Sequence, residues 1–125
     1  MRKRTRQTTG MTNHNIPFEK IFEEQARFQT LIEGEEPHDN PVKFEYHMAA
    51  MVEELGEVLK ADKRWKTHRN VTFVPDEKLD ELADVFITAI NLSLWSGFTV
   101  DEIIRALNNK LSENFRRLED KKSCL

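Results

Sequence analysis

Apolar positions recur at helical intervals in four blocks, each bounded by residues that start or stop helices. In the first, Phe18, Ile21, Phe22, Phe28, Leu31 and Ile32 keep a helical period until Gly34. Asn15 offers an N-cap for this block and Pro17 suits its first turn. The stretch Gly34-Glu35-Glu36-Pro37-His38-Asp39-Asn40-Pro41 is rich in helix breakers and reads as a loop. A second block, from about Val42 to about Trp65, carries a predicted core stripe of Met48, Met51, Val52, Leu55, Val58 and Leu59. The third opens at Pro75-Asp76 and runs to Ser96, with Gly97 as its C′ residue. It is apolar on most sides through Leu82, Val85, Phe86, Ile87, Ala89, Ile90, Leu92 and Leu94, the mark of a helix buried in a bundle or at a subunit interface. The fourth starts at Thr99-Val100-Asp101-Glu102, a capping box, and presents Ile103, Ile104, Leu107, Leu111 and Leu118 as its core face. The pattern predicts an all-α fold, with a four-helix bundle-like core that oligomerises through helix faces.

The polar positions are patterned as well. Beside the core stripe of the second block runs another made of His47, Ala50, Glu54, Glu57 and Ala61. The alanines leave room around the two carboxylates. The third block has one polar face, Glu77, Glu81, Asp84, Thr88 and Asn91, ending near Trp95. Polar groups along a buried helix cost stability unless something pairs them. Gln25 and Gln29, one helical turn apart, read as a solvated face, and His47 reads as a packed histidine. Lys110, Asn114 and Arg117 line one side of the fourth block. Residues 62–74 form a basic connection that ends in the β-prone Val71-Thr72-Phe73-Val74.

Composition refines this picture at the ends of the chain. Of 125 residues, 38% are hydrophobic and 33% charged, which fits one soluble helical domain. Arg2, Lys3, Arg4 and Arg6 make residues 1–14 a basic disordered tail, with no apolar segment after them of the kind a secretory signal needs. The chain's formal charge is −3, so without those four cations the remainder stands at −7. An acidic domain is a poor partner for nucleic acid. No run is long and apolar enough for a membrane span. The single cysteine, Cys124, cannot form an intramolecular disulfide and suits a reducing, cytoplasmic setting. Residues 120–125 read as a frayed C-terminus, which leaves 15–119 as the domain.

Two acidic pairs carry the chemical signal: Glu54-Leu55-Gly56-Glu57 and Glu81-Leu82-Ala83-Asp84. Each pair sits at i, i+3, so its carboxylates share one helix face. If the two helices pack there, four carboxylates meet, and a hard divalent cation relieves their repulsion. Boundary carboxylates paired with Lys and Arg from neighbouring helices are the plainer reading of the same residues. Other chemistries fit less well. The only Glu-x-x-His spacing, Glu35 to His38, spans Pro37 in a loop, against a di-iron centre. One terminal cysteine excludes a thiolate zinc site, and the scattered glycines make no phosphate loop.

Glu54-x-x-Glu57 followed by Glu81-x-x-Asp84-Val85 resembles the signature of the all-α nucleoside triphosphate pyrophosphohydrolases, over roughly residues 16–118. That superfamily includes MazG-type enzymes, dimeric dUTPases and phosphoribosyl-ATP pyrophosphohydrolases. Ile87 stands where dimeric dUTPases are expected to carry a histidine, so the MazG-like group is the better match. The resemblance implies hydrolysis of the α–β phosphate linkage of a nucleotide to a monophosphate and pyrophosphate, as in clearing the nucleotide pool. It implies Glu54, Glu57, Glu81 and Asp84 as ligands of Mg²⁺, or of Mn²⁺ in its place, with Glu54 or Glu57 as the general base. It implies Lys110, Asn114 and Arg117 on the phosphates, Asn91 among the substrate contacts, a base pocket between the first two helices, and a homodimer or homotetramer. A dUTPase-like or phosphoribosyl-ATP-directed enzyme, and a non-catalytic helical interaction module, are the alternatives.

Overall fold

The structure, a computed structural model, describes residues 17–123. The expected basic tail at 1–14, the Asn15 cap and Cys124 lie outside the described residues. All regular structure among the described residues is helical: α1 (Phe18–Glu33), α2 (Pro41–Ala61), α3 (Pro75–Leu94) and α4 (Val100–Ser123).

The helix ends follow from local chemistry. Gly34 closes α1 in the left-handed conformation, φ 76°, with its N–H donating to the Thr30 carbonyl. Asn40 caps α2: its Oδ1 accepts from the N–H groups of Val42 and Lys43. α2 stops at Ala61 rather than near Trp65, because Asp62 turns extended and its Oδ1 accepts the backbone N–H of Arg64. α3 ends with Trp95 at the C-cap, and Gly97 follows at φ 90°. A side chain on Gly97 would stand 3.1 Å from Cβ of Asp39, so glycine is required for conformation and for space. Thr99 and Glu102 form the reciprocal capping box, each backbone N–H donating to the other's side-chain oxygen at 2.9 and 3.1 Å. α4 is helical through Asp120 to Ser123, where fraying was expected.

α3 is the central element. It packs most extensively along α2 and also against α1, while α4 leans on α1. Asn40 N–H donates to the Trp95 carbonyl at 3.0 Å, and Lys78 Nζ donates to Asp62 Oδ2 at 2.8 Å. One contact joins the start of α2 to the end of α3 and the other joins their opposite ends, so the two helices are antiparallel. Gln25 and Gln29 of α1 reach Asn91 and Trp95 in the same order along the chain, so α1 runs parallel to α3.

The core is thin. Phe22, Ile90, Leu94 and Trp95 are the buried apolar side chains among the described residues, with Ile87, Val100, Ile103 and Ile104 partly covered around them. The predicted core stripe of α2 is largely on the outside: Met48, Val52, Leu55 and Leu59 are exposed. So are Phe18, Phe28, Leu31 and Ile32 of α1, and Leu107, Leu111, Phe115 and Leu118 of α4. α2 turns its carboxylate-and-alanine stripe toward α3 instead. No described helix is long and apolar enough to cross a membrane.

Candidate metal centre

Three carboxylates converge where α2 crosses α3. Glu54, Glu81 and Asp84 each place an oxygen within 4.8 Å of the others. Their origin is local: Glu81 and Asp84 are one turn apart on α3, and the antiparallel packing brings Glu54 of α2 opposite them. Glu81 is buried, Glu54 and Asp84 are half-buried, and Oε2 of Glu54 is shielded from solvent.

Glu57, the fourth expected ligand, lies one turn further along α2. Its Oε1 is 3.6 Å from Lys60 Nζ, and it stands outside the group of three. The helix spacing that aligns Glu57 with Glu54 also offers it a lysine at i+3, and a half-exposed carboxylate takes that partner at little desolvation cost.

The donor set is all oxygen and all carboxylate. That suits a hard divalent cation such as Mg²⁺ or Mn²⁺ and does not suit a thiolate or imidazole site. Bonds near 2.1 Å around one such ion hold neighbouring oxygens a few ångströms apart. Three oxygens within 4.8 Å of one another need only small side-chain rotations to reach it, so the residues present fit the ion.

Beyond the carboxylates the polar face of α3 continues into the interior. Thr88 is buried and its hydroxyl donates to the Asp84 carbonyl at 2.8 Å, so it is satisfied within the helix. Asn91 is buried and its Oδ1 accepts from Gln25 Nε2 at 2.9 Å. Trp95, fully enclosed, donates its indole N–H to Gln29 Oε1 at 2.9 Å. Gln29 is 3% exposed, which corrects the solvated face expected of α1. The overlooked signal was the matching spacing: Gln25 and Gln29 on one helix, Asn91 and Trp95 on the other, four residues apart in each pair.

The expected phosphate contacts on α4 sit apart from this. Lys110 and Arg117 are exposed and both pair with Glu113, and Asn114 is exposed beside them. α4 packs on α1, while the carboxylates lie between α2 and α3.

A second charged cluster closes the far end of the α2–α3 pair. Arg64 binds Asp62 with two nitrogens at 2.9 and 2.8 Å and stacks its guanidinium 3.5 Å from the centre of the Phe73 ring. Lys78 binds the same carboxylate. These donors hold the Asp62 carboxyl well below its usual range.

Neither a protein-family model, nor a curated protein, nor a solved structure matches the chain significantly.

Proposed function

We propose that the protein is a Mg²⁺-dependent nucleoside triphosphate pyrophosphohydrolase, a hydrolase that cleaves the α–β phosphoanhydride to give a nucleoside monophosphate and pyrophosphate. The observation that carries this reading is the convergence of Glu54, Glu81 and Asp84 from the two acidic pairs on one helix contact. A divalent ion bound there supplies charge neutralisation and a more acidic water. Glu54, Glu81 and Asp84 would hold it. Glu57, one turn away and partly exposed, is in reach of bulk solvent and is the residue assigned to accept the proton from the attacking water. On this reading the protein acts in the cytoplasm on the nucleotide pool.

The active species is a homo-oligomer, the smallest being a dimer. The exposed apolar stripe Met48, Val52, Leu55 and Leu59 on α2 gives a second copy a surface to cover. Lys110, Asn114 and Arg117 would then serve the phosphates from α4 after Glu113 yields its cations.

The test is incubation with a panel of ribo- and deoxynucleoside triphosphates and Mg²⁺. Pyrophosphate released from at least one of them, and lost on chelation, is the expected result. No release from any of them overturns the proposal and leaves a non-catalytic helical module.

A further inference from the structure

The polar stripe of α3 runs on past the part of it that α1 covers. Gln25 and Gln29 of α1 meet Asn91 and Trp95, so along this parallel pair each α1 residue faces the α3 residue 66 positions later. Two helices of equal rise keep such an offset along their length. Carried back to the first residue of α1, it sets Phe18 level with Asp84. Asp84, Thr88, Asn91 and Trp95 follow at spacings of four, three and four and so share one face of α3. α1 covers that face as far as Asp84 and stops there. Its first turn is anchored: the Phe18 ring packs edge-on against the buried Phe22 at 4.9 Å, and the Lys20 N–H donates to the Pro17 carbonyl at 2.9 Å. The chain that precedes α1 is therefore tethered at the height of the three carboxylates.

That preceding stretch is charged in one sense only. Arg2, Lys3, Arg4 and Arg6 are cations, and no acidic residue occurs before Glu19. Cations of the described helices are committed to carboxylates of their own: Lys60 to Glu57, Arg64 and Lys78 to Asp62, Lys110 and Arg117 to Glu113. Residues 2–6 have no such carboxylate beside them in sequence. Arg6 stands eleven residues before Pro17. Eleven residues reach at most about 40 Å, and packed helix axes lie about 8–10 Å apart. The carboxylates between α2 and α3 are within that reach.

The metal centre also calls for cations. Three ionised carboxylates and one divalent ion sum to −1, which repels an incoming triphosphate. Positive side chains beside the ion reverse that sign, and a guanidinium holds phosphate through two parallel N–H donors. We propose that Arg2, Lys3, Arg4 and Arg6 form a phosphate-binding arm, which reaches the metal centre from the start of α1 and holds the outer phosphates of the nucleotide. The arm rests on the pyrophosphohydrolase reading for its substrate. Its placement rests on the register of α1 against α3 and on the charge of residues 2–6.

Calorimetric titration of the full chain with inorganic tripolyphosphate in Mg²⁺ buffer tests the arm without requiring turnover. Changing Arg2, Lys3, Arg4 and Arg6 together to Gln is expected to weaken binding about tenfold and to flatten its decline with added salt, because fewer ionic contacts remain to be screened. Arg4→Gln with Arg6→Gln is expected to cost about threefold. Lys121→Gln with Lys122→Gln removes the same charge from the exposed far end of α4 and is expected to cost less than about 1.5-fold. A wild-type chain that does not bind tripolyphosphate, equal losses in the two double variants, or unchanged affinity in the fourfold variant would each overturn the proposal. Tighter binding in the fourfold variant also overturns it, and makes the segment a competitor of the phosphates. Nucleotide assays separate the arm from the reaction. Weaker tripolyphosphate binding, with no pyrophosphate released from any nucleotide by the wild type, removes the hydrolytic reading and keeps the arm. Release with an unchanged KM in the fourfold variant does the reverse.

Discussion

Single residues set the chemistry of the carboxylate cluster and its price in stability. Three carboxylates with oxygens within 4.8 Å of one another repel when ionised. Asp84→Asn removes one charge and one ligand without changing shape. It is expected to lower the pyrophosphate-release rate by at least about 100-fold, ~2.7 kcal/mol of barrier. In metal-free buffer it should raise the melting temperature, and added Mg²⁺ should no longer shift it. Steady-state assays and thermal melts with and without Mg²⁺ check both. His47 sets a different dependence. Its folded pKa lies below the unfolded value of 6.5, because burial disfavours the cation. The unfolded chain therefore takes up a proton first as pH falls, and stability is lost between 6.5 and the lower folded value. His47→Gln is expected to flatten that part of the stability profile, read as denaturation midpoints from pH 7.5 down to 5.

At the scale of elements, the least regular connection is held by the best-made ion cluster. Asp62, Arg64 and Lys78, with Phe73 beneath the guanidinium, tie residues 62–74 to the facing ends of α2 and α3. The segment contains Lys63, Arg64, Lys66 and Arg69, all sites for trypsin. Asp62→Ala is expected to speed tryptic cleavage within this segment several-fold over wild type while α3 and α4 stay intact, as peptide mapping of a time course would show. All four helices were legible in the sequence, because apolar period and terminal signals agree in each. The Thr99–Glu102 box and the Glu54/Glu81/Asp84 convergence were legible for the same reason: each is a matter of spacing along one or two helices. Which face of α2 turns inward was not. Its apolar stripe outweighs its carboxylate stripe by hydrophobicity, yet the carboxylate side faces α3, since Asn40 and Asp62 fix both ends of the pair. The end of α2 was misread because a side chain beyond the local pattern, Asp62, decides it. Gln29 and Trp95 were missed as a pair because they lie far apart in sequence and only packing brings them together.

For the molecule as a whole, four buried apolar side chains among the described residues are too few to offset the entropy of ordering four helices. On the proposed reading, a second copy over the exposed stripes would supply the missing burial. Light scattering is expected to give at least twice the chain mass, and Leu55→Glu to lower it with a concentration-dependent fall in melting temperature. A wild-type monomer whose melting point is independent of dilution would contradict this. The two amide contacts between α1 and α3 have a consequence of their own. Gln25 with Asn91 and Gln29 with Trp95 form a ladder whose rungs are one helical turn apart, and both α1 rungs are glutamine. A slip of α1 by one turn breaks one rung and rebuilds the other with the neighbouring glutamine. Hydrogen bonding alone therefore discriminates poorly between adjacent settings of α1. In the slip that carries Gln29 to Asn91 the choice falls to Phe22, whose place against Ile90 and Leu94 would pass to Ala26; in the opposite slip it would pass to Phe18. One aromatic ring thus acts as a one-way stop on the first helix.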